Sequence, residues 1–518
     1  MTDASLAPPE DTDTGLPAQA VHATIVIAVV LSAVLEVLDS TIVNVALPHI
    51  QSAFGATNDQ VTWILTSYIV AAVVVMPLTG FMARRVGRRR LILTSVAGFA
   101  VFSSLCGFSW SLGSMIGFRL GQGIFGAFLI PLSQSILFDA FPREKRGQAM
   151  AMFGLGVVVA PVLGPTIGAL LTDYFSWRMV FFVNLPIAVI ALLMLAGQLP
   201  EDKPENPKID WTGLALMAVG IGALQFVLDQ GQSKDWFSSH IIQIAALLAF
   251  LGGVFFLVRG LRQKDNIIDL RLFSDMNFAS ANAIIAGFSV SMFGGIAILP
   301  LFVQGLLGYP VVEAGYLFIP RGIAAGFSMV ITGAVLANRF DPRLLAAVGL
   351  VLTALSNFQT GWLNLNADFW QLAWPGVVGG LGMGLVFVPL STLAFDSIST
   401  DRQDEASGLY SVTRQLGSSI GIAIVGSMLV RNMTIDTTTL SNHVTVFSLA
   451  ARAYLAPLNL TPETAEGTAV LAAEISRQAA MMAYAHVFNV LGWVAAALLP
   501  CLLFMKRPKN AGANPMAH

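Results

Sequence analysis

Residues 23–48 read ATIVIAVVLSAVLEVLDSTIVNVALP, and this stretch decides which class of protein the chain belongs to. A helix rises about 1.5 Å per residue, so about twenty apolar residues cross the roughly 30 Å hydrocarbon core of a membrane. Two carboxylates, Glu36 and Asp39, interrupt the apolar run. A charged side chain at that depth is costly, and we therefore treat both as candidate functional residues.

Apolar stretches of similar length recur along the whole chain. Of the 518 residues, 55% are hydrophobic and only 11% are charged, whereas a soluble domain usually carries about 25% charged residues. The pattern predicts an all-α integral membrane protein with fourteen transmembrane helices and no nucleic-acid partner. We place the spans near 23–46, 59–82, 91–110, 113–137, 148–172, 178–198, 211–229, 240–258, 278–303, 312–337, 344–363, 370–395, 407–430 and 481–504.

The distribution of Lys and Arg orients these spans. If both termini are cytoplasmic, the inside loops and the C-terminal tail hold 20 of the 28 basic residues, and outside segments hold five. This bias is the one expected for membrane proteins, whose cytoplasmic loops are rich in Lys and Arg. Residues 1–22 contain neither Lys nor Arg and predict a disordered cytoplasmic tail, and residues 505–518 predict a second cytoplasmic tail.

The two halves of the chain resemble each other weakly. The second span ends in GFMARRVG at residues 80–87, and the tenth ends in AVLANRFD at residues 334–341, with Ala and Arg at equivalent positions. Such a repeat predicts two six-helix bundles that alternate in access around a central cavity. The predicted units are an N-terminal bundle at 23–198, two inserted helices at 211–258 and a C-terminal bundle at 278–504.

One long outside segment, residues 431–480, lies within the C-terminal bundle. A connection of this length with helical signals suggests a binding role as well as a link between spans, so a periplasmic partner is an open alternative. Thr461, followed by Pro462 and Glu463, predicts the start of a helix that runs into the last span.

Asp39 in the first span and Arg119 in the fourth are predicted to lie at similar depth. Asp39 is about 10 Å short of the outer end of its span, and Arg119 is about 9 Å below the outer end of its own. A carboxylate that gains and loses a proton beside a fixed cation can couple ion movement to transport. A static buried ion pair that locks two helices explains the same residues equally well. Glu36, one helical turn before Asp39, lies on the same helix face.

Two further arginines fall within spans. Arg321 lies close to the predicted membrane midplane, and Arg414 lies near the cytoplasmic start of its span. Either side chain could face a cavity or bond to the carbonyls of a broken helix. We favour the cavity for Arg321 and the structural role for Arg414.

The fifth span combines small residues with two prolines: Gly156, Pro161, Gly164, Pro165 and Gly168. Small residues let helices approach closely, and prolines bend a helix. These five residues are candidates for gating and helix packing, and packing alone remains an equal alternative.

The sequence contains no cluster of His, Cys or carboxylate residues with the spacing of metal ligands. It also contains none of the nucleophile or phosphate-loop motifs of enzymes. It therefore predicts neither a metal, a cofactor nor an enzymatic activity.

Taken together, the motifs resemble the major facilitator superfamily, and within it the fourteen-span drug:proton antiporters of the EmrB type. The likeness covers roughly residues 23–505. The segments that carry it are 38–48 in the first span, 119–123 in the fourth, 160–168 in the fifth, 177–186 in the sixth and 229–236 between the seventh and eighth.

The resemblance implies a proton-driven exporter of hydrophobic compounds in the inner membrane, working with a periplasmic adaptor protein and an outer-membrane channel. It implies proton coupling at Asp39 and Arg119, with Glu36 as a second carboxyl. We expect Glu36, Gln122 and Arg321 to line the substrate cavity. One departure stands out, because Arg84 occupies the position at which the family's 2–3 loop motif usually has Asp.

Other interpretations of the sequence stay open. A dedicated exporter of a single metabolite, fatty acid or siderophore fits the same spans. A membrane-embedded enzyme lacks a catalytic constellation, and a membrane sensor lacks a soluble signalling domain.

Overall fold

The structure, a computed structural model, describes residues 18–142, 145–199, 204–205, 210–263 and 268–506. Within these residues fourteen helices are long and apolar enough to cross a membrane, which confirms the predicted number. In chain order they are α1 Ala23–Phe54, α2 Asp59–Val86, α3 Arg88–Gly107, α4 Leu112–Ala140, α5 Arg146–Tyr174, α6 Met179–Ala196, α7 Trp211–Gln230, α8 His240–Arg262, α9 Met276–Leu306, α10 Glu313–Leu336, α11 Pro342–Gly361, α12 Phe369–Phe395, α13 Thr400–His443 and α14 Ala465–Phe504.

The last two helices are longer than their predicted spans. α13 continues to His443 and α14 begins at Ala465, so the predicted outside segment 431–480 consists largely of their extensions, joined through a short helix at Leu449–Leu455. The predicted spans end where polar side chains begin, but the backbone hydrogen bonds of the two helices continue beyond the membrane into water. The predicted helix start was three residues early, because the side chain of Thr464, and not that of Thr461, accepts the Gly467 N–H.

The predicted tails lie mostly outside the described residues, which exclude 1–17 and 507–518. Where the structure does describe the first tail, the prediction of disorder is wrong, because the helix that contains the α1 span already begins at Ala18. At the other end, the N–H of Lys506 donates to Asn277 Oδ1 at 2.6 Å and ties the chain to the start of α9.

Packing groups the helices in two sets of six. In the first set α1 packs on α4, α5 and α6, while α4 packs on α2 and α3. In the second set α9 packs on α13 and α14, and α12 packs on α10 and α11. We call these sets the first and second bundles. An even number of spans brings the start of α1 and the end of α14 to one side, which we call the inner side.

The inserted helices α7 and α8 pack tightly on each other. A Cβ on Gly220 would lie 2.8 Å from the backbone N of Gly253, so only glycine allows this approach. At their inner ends Arg259 forms two hydrogen bonds with the Asp210 carboxylate, at 2.8 and 3.0 Å. These bonds hold the pKa of Asp210 below its usual value.

Helix α7 contacts both bundles. Gln230 Nε2 donates to Thr66 Oγ1 of α2 at 2.9 Å, and Gln225 Nε2 donates to Ser419 Oγ of α13 at 2.9 Å. The inserted pair therefore lies along the seam between α2 and α13. Most of α8 is exposed, with large apolar side chains such as Phe250 and Phe255 on its surface, as expected for a helix that faces lipid.

The two bundles meet at the inner side. The rings of Phe138 in α4 and Phe395 in α12 lie 4.7 Å apart. A Cβ on Gly333 of α10 would lie 2.5 Å from the carbonyl oxygen of Gly147 in α5. One hydrophobic core runs through both bundles at this level.

At the outer side each bundle has a core of its own. The first bundle's outer core includes Ile42, Ile64 and Phe181. The second bundle's outer core includes Phe302, Leu317 and Tyr484. The structure is therefore closed between the bundles on the inner side, whereas on the outer side the buried apolar residues of each bundle form a separate cluster.

Candidate functional site

Asp39 and Arg119 form a fully buried ion pair in the middle of the first bundle. Arg119 Nη1 donates to Asp39 Oδ2 at 2.5 Å, and neither side chain is exposed. Arg119 Nε also donates to the backbone oxygen of Ile64 in α2 at 3.2 Å, and its guanidinium lies 4.2 Å from the centre of the Tyr68 ring. The depths estimated from the sequence thus correspond to a direct contact.

The second oxygen of the Asp39 carboxylate has two amide donors. Gln122 Nε2 donates to Oδ1 at 2.8 Å, and Asn184 Nδ2 donates to the same atom at 2.9 Å. Gln122 Oε1 in turn accepts from Arg119 Nη1 at 2.8 Å. Donors from α4 and α6 therefore surround one carboxylate on α1, which is the arrangement that makes a buried charge tolerable.

Sequence reasoning gave no role to Asn184 or Tyr68. Asn184 lies within a strongly apolar segment two residues before Pro186, and a polar side chain in such a segment was the available signal. Its amide also donates to Ser103 Oγ at 3.1 Å, and Ser103 Oγ donates to the Phe181 carbonyl oxygen at 2.8 Å. This chain of bonds fixes the orientation of the Asn184 amide.

The expectation that Gln122 lines the substrate cavity is not met in this structure. Its side chain has no exposure, and both ends of its amide bond to the Asp39–Arg119 pair. The physical reason is that Gln122 lies one turn after Arg119 on α4, so both side chains face α1. Gln122 therefore belongs to the ion-pair site.

Glu36 lies one turn from Asp39 but has a different environment. The residue is 8% exposed, and its Oε2 atom is buried without a hydrogen-bond partner. The nearby charges that act on it are Arg414 of the second bundle and Asp39.

Arg321 borders a small cavity within the second bundle. It is half-buried on α10 and borders an enclosed cavity of about 30 Å³, whose other lining residues lie on α9, α11, α12 and α14. All of these helices belong to the second bundle, and the volume suits a water molecule but not a drug. The role of Arg321 in a substrate cavity between the bundles stays a prediction.

The small residues of α5 pack against the helix that carries the carboxylates. A Cβ on Gly164 would lie 2.2 Å from Thr41 Oγ1, and one on Gly168 would lie 3.0 Å from the Ile42 carbonyl oxygen. Gly156 faces Val30 of α1 in the same way. Pro161 and Pro165 lie inside the same helix. The segment predicted for gating and packing thus sets the distance between α5 and α1.

On the inner side, ion pairs join Arg84 of α2 and Arg88 of α3 to the second bundle. Arg84 Nη1 lies 3.4 Å from Glu405 Oε2, and Arg88 Nε lies 3.0 Å from Asp404 Oδ2. Both acids stand at the start of α13. These pairs connect the inner ends of α2 and α3 to the start of α13.

The arrangement permits one specific chemical event. Protonation of Asp39 would neutralise the acceptor of Arg119, Gln122 and Asn184 at once. Arg119 would keep its bonds to Ile64 and Gln122, so a proton on Asp39 changes the strength of the α1–α4 contact without leaving Arg119 unpaired. Within the described residues, no group of three His, Cys, Asp or Glu side chains could hold a metal ion.

Comparison with known proteins places this site in a family context. The family model described as Major Facilitator Superfamily matches residues 29–422. The Multidrug export protein EmrB of Escherichia coli (strain K12) is 36% identical over 494 residues, which cover 94% of this chain and 96% of the relative. The Fatty acid resistance protein FarB of Neisseria gonorrhoeae is 34% identical over 490 residues, which cover 93% of this chain and 96% of the relative.

Solved structures show the same fold. A structure of the proton:xylose symporter XylE aligns with a TM-score of 0.62 over 95% of this chain and 97% of XylE. Its sequence is 12% identical, so the likeness concerns the fold alone.

Proposed function

Because the chain belongs to the Major Facilitator Superfamily, we propose that it exports hydrophobic drugs or toxic amphiphiles in exchange for protons, by alternating access. It is a multi-pass membrane transporter of small molecules and not an enzyme. The export function is supported by relatives whose names describe multidrug export and that align along nearly the whole chain.

The observation that carries proton coupling is the buried Asp39 with its three donors. A charged carboxylate at this depth in the membrane is energetically costly, so its presence there indicates a functional role. In the proposed cycle Asp39 takes a proton from the outer side, its bond to Arg119 weakens, and the first bundle favours the opposite orientation. Release of the proton to the cytoplasm restores the ion pair.

The closed inner side corresponds to the outward-facing end of this cycle. The Arg84–Glu405 and Arg88–Asp404 pairs connect the bundles there, and they separate when the inner side opens. Drug would then enter from the cytoplasm or the inner leaflet, and closure of these pairs would return it toward the outer side.

We place the inner side in the cytoplasm of a bacterial inner membrane, with both termini cytoplasmic. The support is the excess of Lys and Arg on that side. The Arg84–Arg90 stretch faces the cytoplasm in this orientation, and the His443–Ala465 connection faces the periplasm.

We further propose that this connection docks a periplasmic adaptor that leads to an outer-membrane channel. The helices α13 and α14 project beyond the predicted spans and carry exposed apolar side chains at their junction, with Phe447 80% and Leu449 83% exposed. Replacing both by Ser should reduce crosslinking to the adaptor and leave proton exchange in vesicles unchanged. Unaltered crosslinking by the folded variant would refute the docking role.

A second candidate substrate class is fatty acids. The relative named for fatty acid resistance is nearly as similar as the multidrug relative and aligns over as much of the chain. A dedicated fatty acid exporter would use the same carboxylate for proton coupling and differ only in the range of compounds moved.

The test of the proposed function is drug-driven proton movement in proteoliposomes that contain the purified chain. Asp39→Asn should abolish uphill drug export and drug-driven proton movement, while drug binding remains. The matched control is Asp59→Asn, which changes an exposed aspartate at the start of α2. Normal proton exchange by a folded Asp39→Asn protein would move the coupling role to another group, with Glu36 the next candidate.

A further inference from the structure

Arg321 carries a positive charge within a membrane span and has no partner in the part of the chain that the structure describes. It lies eight residues after Glu313, the first residue of α10, so its backbone is about 12 Å below the outer end of the helix. None of the hydrogen bonds or ion pairs between described residues involves its guanidinium group. A charged side chain at this depth is costly unless another group compensates its charge.

The buried arginine of the first bundle has the kind of partners that Arg321 lacks. Arg119 donates to the Asp39 carboxylate, to the Gln122 side chain and to the Ile64 carbonyl oxygen. A guanidinium group has five N–H donors and no acceptor, and polar groups inside proteins are nearly always hydrogen-bonded. The difference between the two arginines indicates that a bound molecule or ion lies beside Arg321.

A cavity of about 30 Å³ lies next to the Arg321 side chain, inside the second bundle. None of the described residues that line this cavity is acidic, so its walls supply no negative charge. Its polar wall is formed by α11, which contributes Thr353, Ser356, Asn357 and Thr360. The cavity therefore combines one cation with neutral polar groups.

The hydroxyl groups of α11 are able to bond to a ligand in the cavity. Thr353 Oγ1 donates to the Gly349 carbonyl oxygen at 2.9 Å, and Thr360 Oγ1 donates to the Ser356 carbonyl oxygen at 2.9 Å. Both acceptors lie one turn earlier on the same helix, where they also accept backbone N–H groups. Because each carbonyl oxygen keeps its backbone bond, a threonine hydroxyl can turn toward a ligand at small cost.

The charge of Arg321 decides between water and an anion. A water molecule in the cavity would accept a hydrogen bond from the guanidinium but would leave its positive charge uncompensated. An anion accepts the same hydrogen bond and also neutralises the charge, which matters most in a region of low dielectric constant. Hydrogen bonds between charged groups are also stronger than those between neutral groups. These arguments favour a monovalent anion.

The volume of the cavity restricts the anion to a small one. About 30 Å³ is the volume that one water molecule occupies in the liquid. A carboxylate with a side chain, a phosphate or an anionic drug does not fit such a space. A monatomic anion does, and chloride is the common monatomic anion of biological fluids.

We propose that Arg321, together with the hydroxyl groups of Thr353, Ser356 and Thr360, forms a binding site for a chloride ion inside the second bundle. The guanidinium donates to the ion and is neutralised by it, and the hydroxyl groups complete its coordination. All the lining residues belong to the second bundle, so the ion stays with this bundle while the two bundles reorient. Its role is to stabilise the charge of Arg321 within the membrane.

The experiment measures equilibrium binding of radioactive chloride to the purified full-length chain in detergent, with gluconate as the background anion because it is too large for the cavity. The unaltered chain should bind chloride at one saturable site. Arg321→Gln should weaken this binding at least about tenfold, since a hydrogen bond to a charged group contributes about 1.5–3 kcal/mol. The matched control, Arg262→Gln at the exposed inner end of α8, should bind as the unaltered chain does. Absence of saturable binding to the unaltered chain would overturn the proposal.

A second variant fills the cavity and leaves every charge in place. A Cβ on Gly376 would lie 3.5 Å from Arg321 Cβ, which is an ordinary contact and not a clash. Gly376 lines the cavity, so the added methyl group takes space that the ion needs. Gly376→Ala should therefore weaken chloride binding about tenfold or more while the chain folds normally. Unchanged binding by this variant would show that chloride lies elsewhere and would refute the site.

Thermal unfolding gives an independent measurement, because a ligand that binds only the folded chain stabilises it. Replacing gluconate by chloride should raise the unfolding midpoint of the unaltered chain and leave that of Gly376→Ala unchanged. An equal rise in both proteins would be a general salt effect and would count against the site. If Arg321→Gln fails to fold, Gly376→Ala answers the same question. Neither measurement needs a proton gradient or a drug, so the result is separate from the test of export.

Discussion

Asn184 on α6 donates a hydrogen bond of 2.9 Å to the Asp39 carboxylate on α1, at the same oxygen that Gln122 of α4 contacts. The bond joins a helix at the periphery of the first bundle to the carboxylate at its centre. Three helices therefore meet at one group whose charge can change, and any change at Asp39 reaches α4 and α6 directly.

We expect Asn184→Leu to impair coupling while the chain still folds. Leucine has nearly the same shape as asparagine but leaves the carboxylate with one donor fewer, and a hydrogen bond to a charged group contributes about 1.5–3 kcal/mol. Drug-driven proton uptake in proteoliposomes should fall about tenfold. The control is Asn44→Leu, at an exposed position on α1 where the side chain bonds only to the Ser40 carbonyl oxygen. Equal rates in both variants would contradict a positioning role for Asn184.

The inner-side pair Arg84–Glu405 should bias the equilibrium between the two orientations. Arg84→Glu brings two acids together and should favour the inner-open state. The side chain of Arg84 is 31% exposed, so the pair contributes at most about 1 kcal/mol, which corresponds to a shift of about fivefold. Spin labels on the inner ends of α2 and α13 report the populations. Arg90→Glu, an exposed arginine of the same stretch, should leave them unchanged.

Close packing between α5 and α1 predicts sensitivity at Gly164. In Gly164→Ala the new Cβ would meet Thr41 Oγ1 at 2.2 Å, and overpacking of this kind costs about 1–3 kcal/mol. The thermal unfolding midpoint in detergent should fall, and drug export should fall with it because α1 carries Asp39. Gly426→Ala on α13 makes the same substitution where no atom lies within 4 Å of the new Cβ, and it should not lower stability. A Gly164→Ala protein as stable as this control would show that α1 moves aside freely.

The orientation in the membrane can be tested with cysteine labelling. In a chain whose Cys106 and Cys501 are replaced by Ala, a membrane-impermeant maleimide added to intact spheroplasts should label Thr438→Cys and not Arg90→Cys. Both positions are exposed, so access depends on the side of the membrane. Labelling of Arg90→Cys alone would invert the proposed orientation.

The sequence by itself determined the features that depend on short stretches of chain. The apolar length of residues 23–48 and of thirteen similar stretches established the fourteen spans, because each span needs only its own residues to satisfy its backbone in lipid. The buried charges were recognisable for the same reason, since a carboxylate such as Asp39 is conspicuous in an apolar run. The spacing of Glu36 and Asp39 placed both on one face of a helix.

Only the tertiary structure decided which of these groups meet. Asn184 and Asp39 are separated by 145 residues, and Arg84 and Glu405 by 321. Such contacts depend on how each helix is rotated and packed, which local periodicity does not specify. Gln122 was expected at a cavity and faces α1 for this reason. Arg84 meets Glu405 because the two bundles come together at the inner side. Hydropathy locates helices in the membrane, whereas the packing of side chains between helices determines the site.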